Sequence, residues 1–183
     1  MKKAIFIAGY CATGKSTFAK KLSRQFMMPL FSKDTLKENL ADSIGSINKN
    51  VIDKLSLTTF NLMYFISEIN MKTNQTFILE SNFKPNEANK LNDLIKKYSY
   101  ESLTFLFIAD PEITYERYKK RDNDGERHWV HRTFKETRDD FMNGNLALGK
   151  INLGSNIITI DATSFEKIDY DKLYDLASDF LRY

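Results

Sequence analysis

Short apolar runs alternate along this chain with longer stretches whose apolar residues recur at helical spacing. Residues 3–9 (KAIFIAG), 27–32 (MMPLFS), 76–81 (TFILES), 102–110 (SLTFLFIAD) and 156–161 (NIITID) read as strands. Pro29 inside the second run points to an irregular or edge position, because proline cannot donate to a ladder. Helices are expected over 15–25, 33–43, 51–74, 85–98 and 165–182, with another opening at Pro111 under an Asp110 cap. In the 51–74 stretch the periodic residues are Leu55, Leu62, Ile66 and Ile69, widened by Phe60, Met63 and Phe65, which predicts a long buried helix. The closing helix carries Leu173, Leu176, Phe180 and Leu181 inward. Strands alternating with helices imply right-handed crossovers and a mainly parallel sheet covered on both faces, an α/β fold in three layers.

Composition adds modest constraints. At 183 residues and 42% hydrophobic, the chain suits one domain (1–183) with a substantial core. Three prolines and seven glycines argue against a linker-rich chain. The formal charge of +3 leans toward anionic ligands without requiring nucleic acid. A single cysteine excludes an internal disulfide framework and fits a reducing compartment. Lys2 and Lys3 before an apolar run superficially suggest a signal peptide. The run is only AIFIA, however, and Lys15 and Lys20 follow at once, so a buried first strand is the better reading. No run reaches the ~18 residues of a membrane span, and a cytoplasmic protein is expected.

Chemistry begins directly behind the first strand. Gly9, Gly14, Lys15 and Ser16 satisfy G-x-x-x-x-G-K-[ST], a strand-to-helix turn whose glycines let successive N–H groups face phosphate oxygens. The helix start adds its dipole. Residues expected to hold a nucleotide are Gly9, Ala12, Thr13, Gly14, Lys15, Ser16 and Thr17, with Lys15 following the transferring phosphoryl group and Ser16 on Mg²⁺. Cys11 lies inside the loop and reads as a small residue that fits it.

Three further segments separate a switch or motor from a transferase. The strand FILESN ends in Glu80, a single carboxylate able to hold metal water or orient an acceptor, with no adjacent Asp-Glu pair of the motor type. Asp34 follows the second strand and starts a helix, where a carboxylate can take the acceptor's proton or merely cap the helix. In residues 113–132, Arg117 and Arg121 are four apart on one helix face. Asp122 to Gly125 form a turn, and Arg127, His128, Trp129, His131 and Arg132 lie beyond it. This is the pattern of a lid (about 117–135) that brings positive charge over phosphate. Two histidines without further Cys or His nearby make a poor zinc site.

Taken together, GYCATGKST, FSKDTL, FILESNF and DPEITYERYKKR…GERHWVH give the chain, over nearly its whole length, a resemblance to small P-loop kinases. It is most similar to the group of polynucleotide 5′-kinases, chloramphenicol phosphotransferase and zeta-toxin-like kinases. The resemblance implies a five-stranded parallel sheet of order 2-3-1-4-5, Mg-ATP as donor, the Lys33-Asp34 pair supplying the general base, and lid arginines on phosphate. It departs from that group in having Asp34-Thr35 where Asp-Asp is common. Catalytic residues expected on this basis are Lys15, Asp34, Arg117, Arg121 and Arg127, with Ser16 and Glu80 toward the metal. Residues 35–75 contain lysines but no arginine, so an uncharged small-molecule hydroxyl is expected as acceptor ahead of a nucleoside monophosphate or a polynucleotide end. A non-catalytic ATP-binding regulatory module is the rival class.

Overall fold

The computed structural model describes residues 2–45, 48–125, 127–132 and 137–182. Glu126 and residues 133–135 of the expected lid fall outside the described residues. Five strands form one parallel sheet in the order β2-β3-β1-β4-β5. These are β1 (Lys3–Gly9), β2 (Leu30–Ser32), β3 (Phe77–Glu80), β4 (Glu101–Ile108) and β5 (Asn156–Asp161). The central strand β1 is buried at every position, because helices cover both faces and there is no polar side to alternate toward. The edge strand β2 is only three residues long, beginning one residue after Pro29, whose carbonyl accepts from Ile78 N–H at 2.9 Å.

One face of the sheet is covered by α1 (Lys15–Phe26) and α8 (Tyr170–Arg182) around Phe18, Phe105 and Phe107. The other is covered by α3 (Lys49–Lys72) and α4 (Pro85–Tyr98) around Phe6, Met63, Phe77 and Phe83. The helix α2 (Lys33–Ile44) follows β2 without a loop. Beyond β4 come α5 (Pro111–Asn123), the single turn α6 (Trp129–Arg132) and α7 (Arg138–Leu148). Asp110 caps α5 as its position suggests, accepting from Glu112 and Ile113 N–H at 2.8 and 3.2 Å.

Four details depart from the sequence expectation. The buried seam of α3 is Ile52, Leu55, Thr59, Phe60, Met63, Ser67 and Met71, while Phe65 and Ile69 are exposed. Thr59 and Ser67 serve as core residues because their hydroxyls donate back to the carbonyls of Leu55 and Met63, both at 2.7 Å. The closing helix starts at Tyr170, since Phe165–Lys167 form a separate 3-10 turn. The helix α5 continues through Asn123, so the turn arrives at Asp124 and Gly125 (φ 73°). Last, α7 has no counterpart in the sequence reading. Its Thr137 caps Asp140 N–H at 3.1 Å, and its Phe141 packs on Tyr115 and Tyr118 of α5.

Candidate active site

The phosphate-type loop leaves the carboxyl end of β1 in tight contact with β4. A Cβ on Gly9 (φ 120°) would sit 1.9 Å from the carbonyl oxygen of Phe107, and Tyr10 N–H donates to that same oxygen at 2.8 Å. Only glycine fits there. Ala12 (φ 57°) and Gly14 (φ 81°) are left-handed, which turns the loop's N–H groups inward to make an anion-binding concavity. Gly14 is the N-cap of α1 without a side-chain cap, so the first N–H groups of the helix, including those of Ser16 and Thr17, have no side-chain acceptor from their cap. This is the chemistry a polyphosphate tail requires, and the cradle fits one.

Side chains brace the loop. Thr13 donates to the carbonyl of Tyr10 at 2.8 Å, and Lys15 Nζ donates to the same carbonyl. Burial pushes the Lys15 ammonium below its usual value, with Cys11, Glu80 and Asp34 opposing. From α7, Asn145 accepts from Cys11 N–H at 3.1 Å and donates to Thr114 at 3.1 Å. Asn82 donates to Cys11 Sγ at 2.9 Å.

Glu80 ends β3 with its side chain buried. Its two oxygens accept from Ser16 at 3.1 Å and Ser32 at 2.6 Å, and burial pushes its carboxyl up against the pull of Lys15. Ser16, Ser32 and Glu80, with Lys20 and Thr35, line a cavity of about 220 Å³. A larger groove of about 400 Å³ runs along β5 beside α8 and involves none of these residues. Among the described residues no three His, Cys, Asp or Glu side chains cluster as a metal cage. Ser16 and Glu80 offer oxygen donors only, the ligand type that Mg²⁺ takes alongside water and phosphate oxygens.

Asp34 begins α2 directly after β2. It pairs with Lys33 at 3.5 Å, and 53% of its side chain reaches solvent. Crowding in the cleft works against its charge, but Lys33, His131 and Lys15 together hold the carboxyl below its usual range. It is ionised at neutral pH.

Arg121 projects from α5 within electrostatic reach of Cys11, Asp34 and Lys15. Arg127 pairs with Asp122 at 2.9 Å and lies over the ring of Tyr118 at 4.6 Å. The turn α6, with His128 just before it, docks on α2 through three hydrogen bonds. His128 and Trp129 both meet Asp42 Oδ1 (3.1 and 3.0 Å), and His131 meets Glu38 at 3.1 Å. Arg117 points elsewhere. Its guanidinium donates to the carbonyls of Ala162 and Thr163 at 2.7 and 2.8 Å and stacks on Phe165 at 3.9 Å. That Phe165 ring in turn lies 3.3 Å from where a Gly14 Cβ would stand.

Thus Gly9 to Ser16, Glu80, Asp34 and Arg121 converge, while Arg117 faces the loop after β5. Sequence reasoning missed Asn145, Phe165 and Lys37. A Thr137-x-x-Asp140 cap signal before Phe141 would have revealed the helix that carries Asn145, and Lys37 lies one turn beyond Lys33.

The fold is shared with solved structures at low identity. A protein from Chloroflexus aurantiacus provisionally named a kinase is 23% identical, with 98% of this chain and 96% of that one covered and a TM-score of 0.84. A sugar kinase from Janibacter sp. HTCC2649 gives 13% identity, 100% and 95% coverage and a TM-score of 0.61. A gluconokinase from Sinorhizobium meliloti gives 13%, 98% and 96%, and 0.56. None of the curated proteins matches the sequence. The family model described as "AAA domain" matches residues 5–143, from β1 into α7. The chain belongs to that family, with the three-layer fold of P-loop kinases.

Proposed function

We propose that the protein is an ATP-dependent phosphotransferase that moves the γ-phosphate of Mg-ATP to a hydroxyl of a small molecule. One observation carries the reading: an ionised, solvent-open carboxylate, Asp34, shares its electrostatic surroundings with the phosphate-loop lysine. A nucleotide switch or motor has no need of a base on that side of the cleft. A kinase requires one, because the acceptor hydroxyl loses its proton as it meets the phosphoryl group.

The loop N–H groups and Lys15 would hold the β- and γ-phosphates, and Ser16 with Glu80 would face Mg²⁺, which neutralises charge on the phosphates when bound. Thr13 braces the loop, Ala12 turns its backbone through a left-handed conformation, and Thr17 stands in the first turn of α1. Asp34 accepts the acceptor's proton, and Lys33 keeps it ionised until then. Arg121 stabilises charge on the transferring group, with Arg127 beside it from the lid. Arg117 and Phe165 form a flat, cationic surface beside Gly14 that suits the nucleotide base. Within the P-loop kinases, the Lys33-Asp34 pair and the lid arginines favour the group of polynucleotide 5′-kinases, chloramphenicol phosphotransferase and zeta-toxin-like kinases.

ADP release measured against nucleosides, polyols, sugar acids, aminocyclitols and 5′-hydroxyl oligonucleotides tests this reading. Acceptor-dependent release that vanishes in Asp34→Asn, with ATP binding retained, is the expected result. ATP binding with no acceptor-dependent release from any compound would favour a regulatory module instead.

A further inference from the structure

Beside Asp34 lies a cation that phosphate transfer does not use. Lys37 stands on α2 one turn after Lys33 and Asp34, on the same face, and only 6% of its surface is exposed. Among the described residues it has no hydrogen-bond or ion-pair partner; its electrostatic neighbours are Lys33, Asp34, Arg127 and Asp53. Burial, reinforced by Lys33, lowers its ammonium to about 8, so it is still mostly charged at neutral pH. A buried, charged, unpaired ammonium is costly unless something completes it. The surrounding charges do not pair with it: Lys33 is engaged with Asp34, Arg127 with Asp122 and Glu38 with His131, and Asp53, the remaining carboxylate neighbour, makes no ion pair or hydrogen bond with Lys37 among the described residues.

We infer that Lys37, flanked by Lys33 and Arg127, is the anion-recognition element of the acceptor site, so that the acceptor carries a carboxylate or phosphate besides the hydroxyl that is phosphorylated. This rests on the kinase reading above and specifies its substrate class. Residues at i and i+3 of a helix are separated by about 5–6 Å at their Cβ atoms. The acceptor's anion and reacting hydroxyl should therefore lie a few bonds apart, as in a small hydroxy acid or a nucleotide with a free hydroxyl. The inference reverses the uncharged acceptor expected from the lack of arginine in residues 35–75. The positive charge comes from lysines of α2 and an arginine of the lid, which no single segment of sequence displays together.

Matched pairs test it: glycerol against glycerate, glucitol against gluconate, and a nucleoside against its 3′-monophosphate with the 5′-hydroxyl free. Wild-type protein should turn over the anionic member of at least one pair with a KM about ten- to a hundredfold below that of its neutral partner. Lys37→Met should erase most of that preference while leaving the KM for ATP within about twofold, and Lys37→Arg should restore part of it. Thermal melts establish that the variants fold; were Lys37→Met unfolded, the wild-type ratios would still decide. Equal turnover of neutral and anionic partners, or a Lys37→Met variant with an unchanged preference, overturns the inference and leaves the kinase reading standing. Absence of turnover across all pairs and across the wider acceptor panel removes both.

Discussion

Asn145 of α7 holds the backbone of the phosphate loop, its side-chain oxygen accepting from the N–H of Cys11, 134 residues earlier in the chain. The same side chain donates to Thr114 of α5, and it is almost wholly buried. One amide thereby joins the loop, the root of the lid helix and α7. Replacing it with alanine removes two hydrogen bonds, the one from the Cys11 N–H and the one to the Thr114 hydroxyl, which keeps its own bond to the Pro111 carbonyl at 2.8 Å, so Asn145→Ala should lose about 1–3 kcal/mol of unfolding free energy. It should also weaken nucleotide binding, since the loop loses a brace. Urea unfolding and calorimetric titration with Mg-ATP check both parts; an unperturbed nucleotide affinity would show that the loop keeps its shape unaided.

Arg121 has no hydrogen-bond or ion-pair partner among the described residues, although it lies near Lys15, Cys11 and Asp34. A guanidinium left free over a phosphate cradle is suited to charge that appears only during transfer. Arg121→Ala is expected to lower kcat by about 10³-fold while altering ATP affinity little. Steady-state kinetics beside an equilibrium ATP titration separates these quantities, and a kcat near wild type would remove Arg121 from the chemistry.

Glu80 is buried between two serine hydroxyls, Ser16 and Ser32. Glutamine keeps the shape but cannot carry charge. If Glu80 faces the metal, Glu80→Gln should raise the Mg²⁺ concentration for half-maximal activity by roughly tenfold, about 1.4 kcal/mol, at saturating ATP. An Mg²⁺ titration of ADP release reads this directly. A lowered activity with an unchanged Mg²⁺ midpoint would assign Glu80 to the loop's architecture alone.

His131 makes the seating of α6 on α2 sensitive to pH. Burial lowers its imidazole from 6.5 to about 4, with Asp34 opposing and Arg127, Lys37 and Lys33 adding to the fall. The unfolded chain therefore binds the extra proton between about 6.5 and 4. Stability contributed by neutral His131 is complete above pH 6.5 and declines as pH falls through that window, by on the order of 3 kcal/mol at most. His131→Gln, which can still donate to Glu38, should flatten that part of the stability profile. The difference between the two profiles isolates the imidazole from Glu38, whose own carboxyl burial pushes up. Identical slopes in the two proteins would refute the assignment.

The parts legible in the sequence are those whose physics is local. The strand runs, the Asp110 cap and the loop from Gly9 to Ser16 each depend on fewer than a dozen consecutive residues, and the structure has all of them at those places in the chain. Reading apolar residues alone mislaid the seam of α3, because Thr59 and Ser67 hide their hydroxyls against the helix backbone. It also passed over α7, a polar helix whose Phe141 packs on α5 and whose Asn145 bonds the phosphate loop.

The chain by itself determined an α/β kinase-type scaffold with a phosphate cradle at the carboxyl edge of its first strand, since those features follow from hydrogen-bonding period and backbone sterics over short range. Tertiary structure alone decided which distant side chains share the cleft: Arg117 turned to the loop after β5, Asn145 bound to Cys11, and Lys37 buried beside Asp34. Electrostatic and packing energies depend on separation in space and on exclusion of water, and neither is recorded in the order of residues until the sheet brings the elements together.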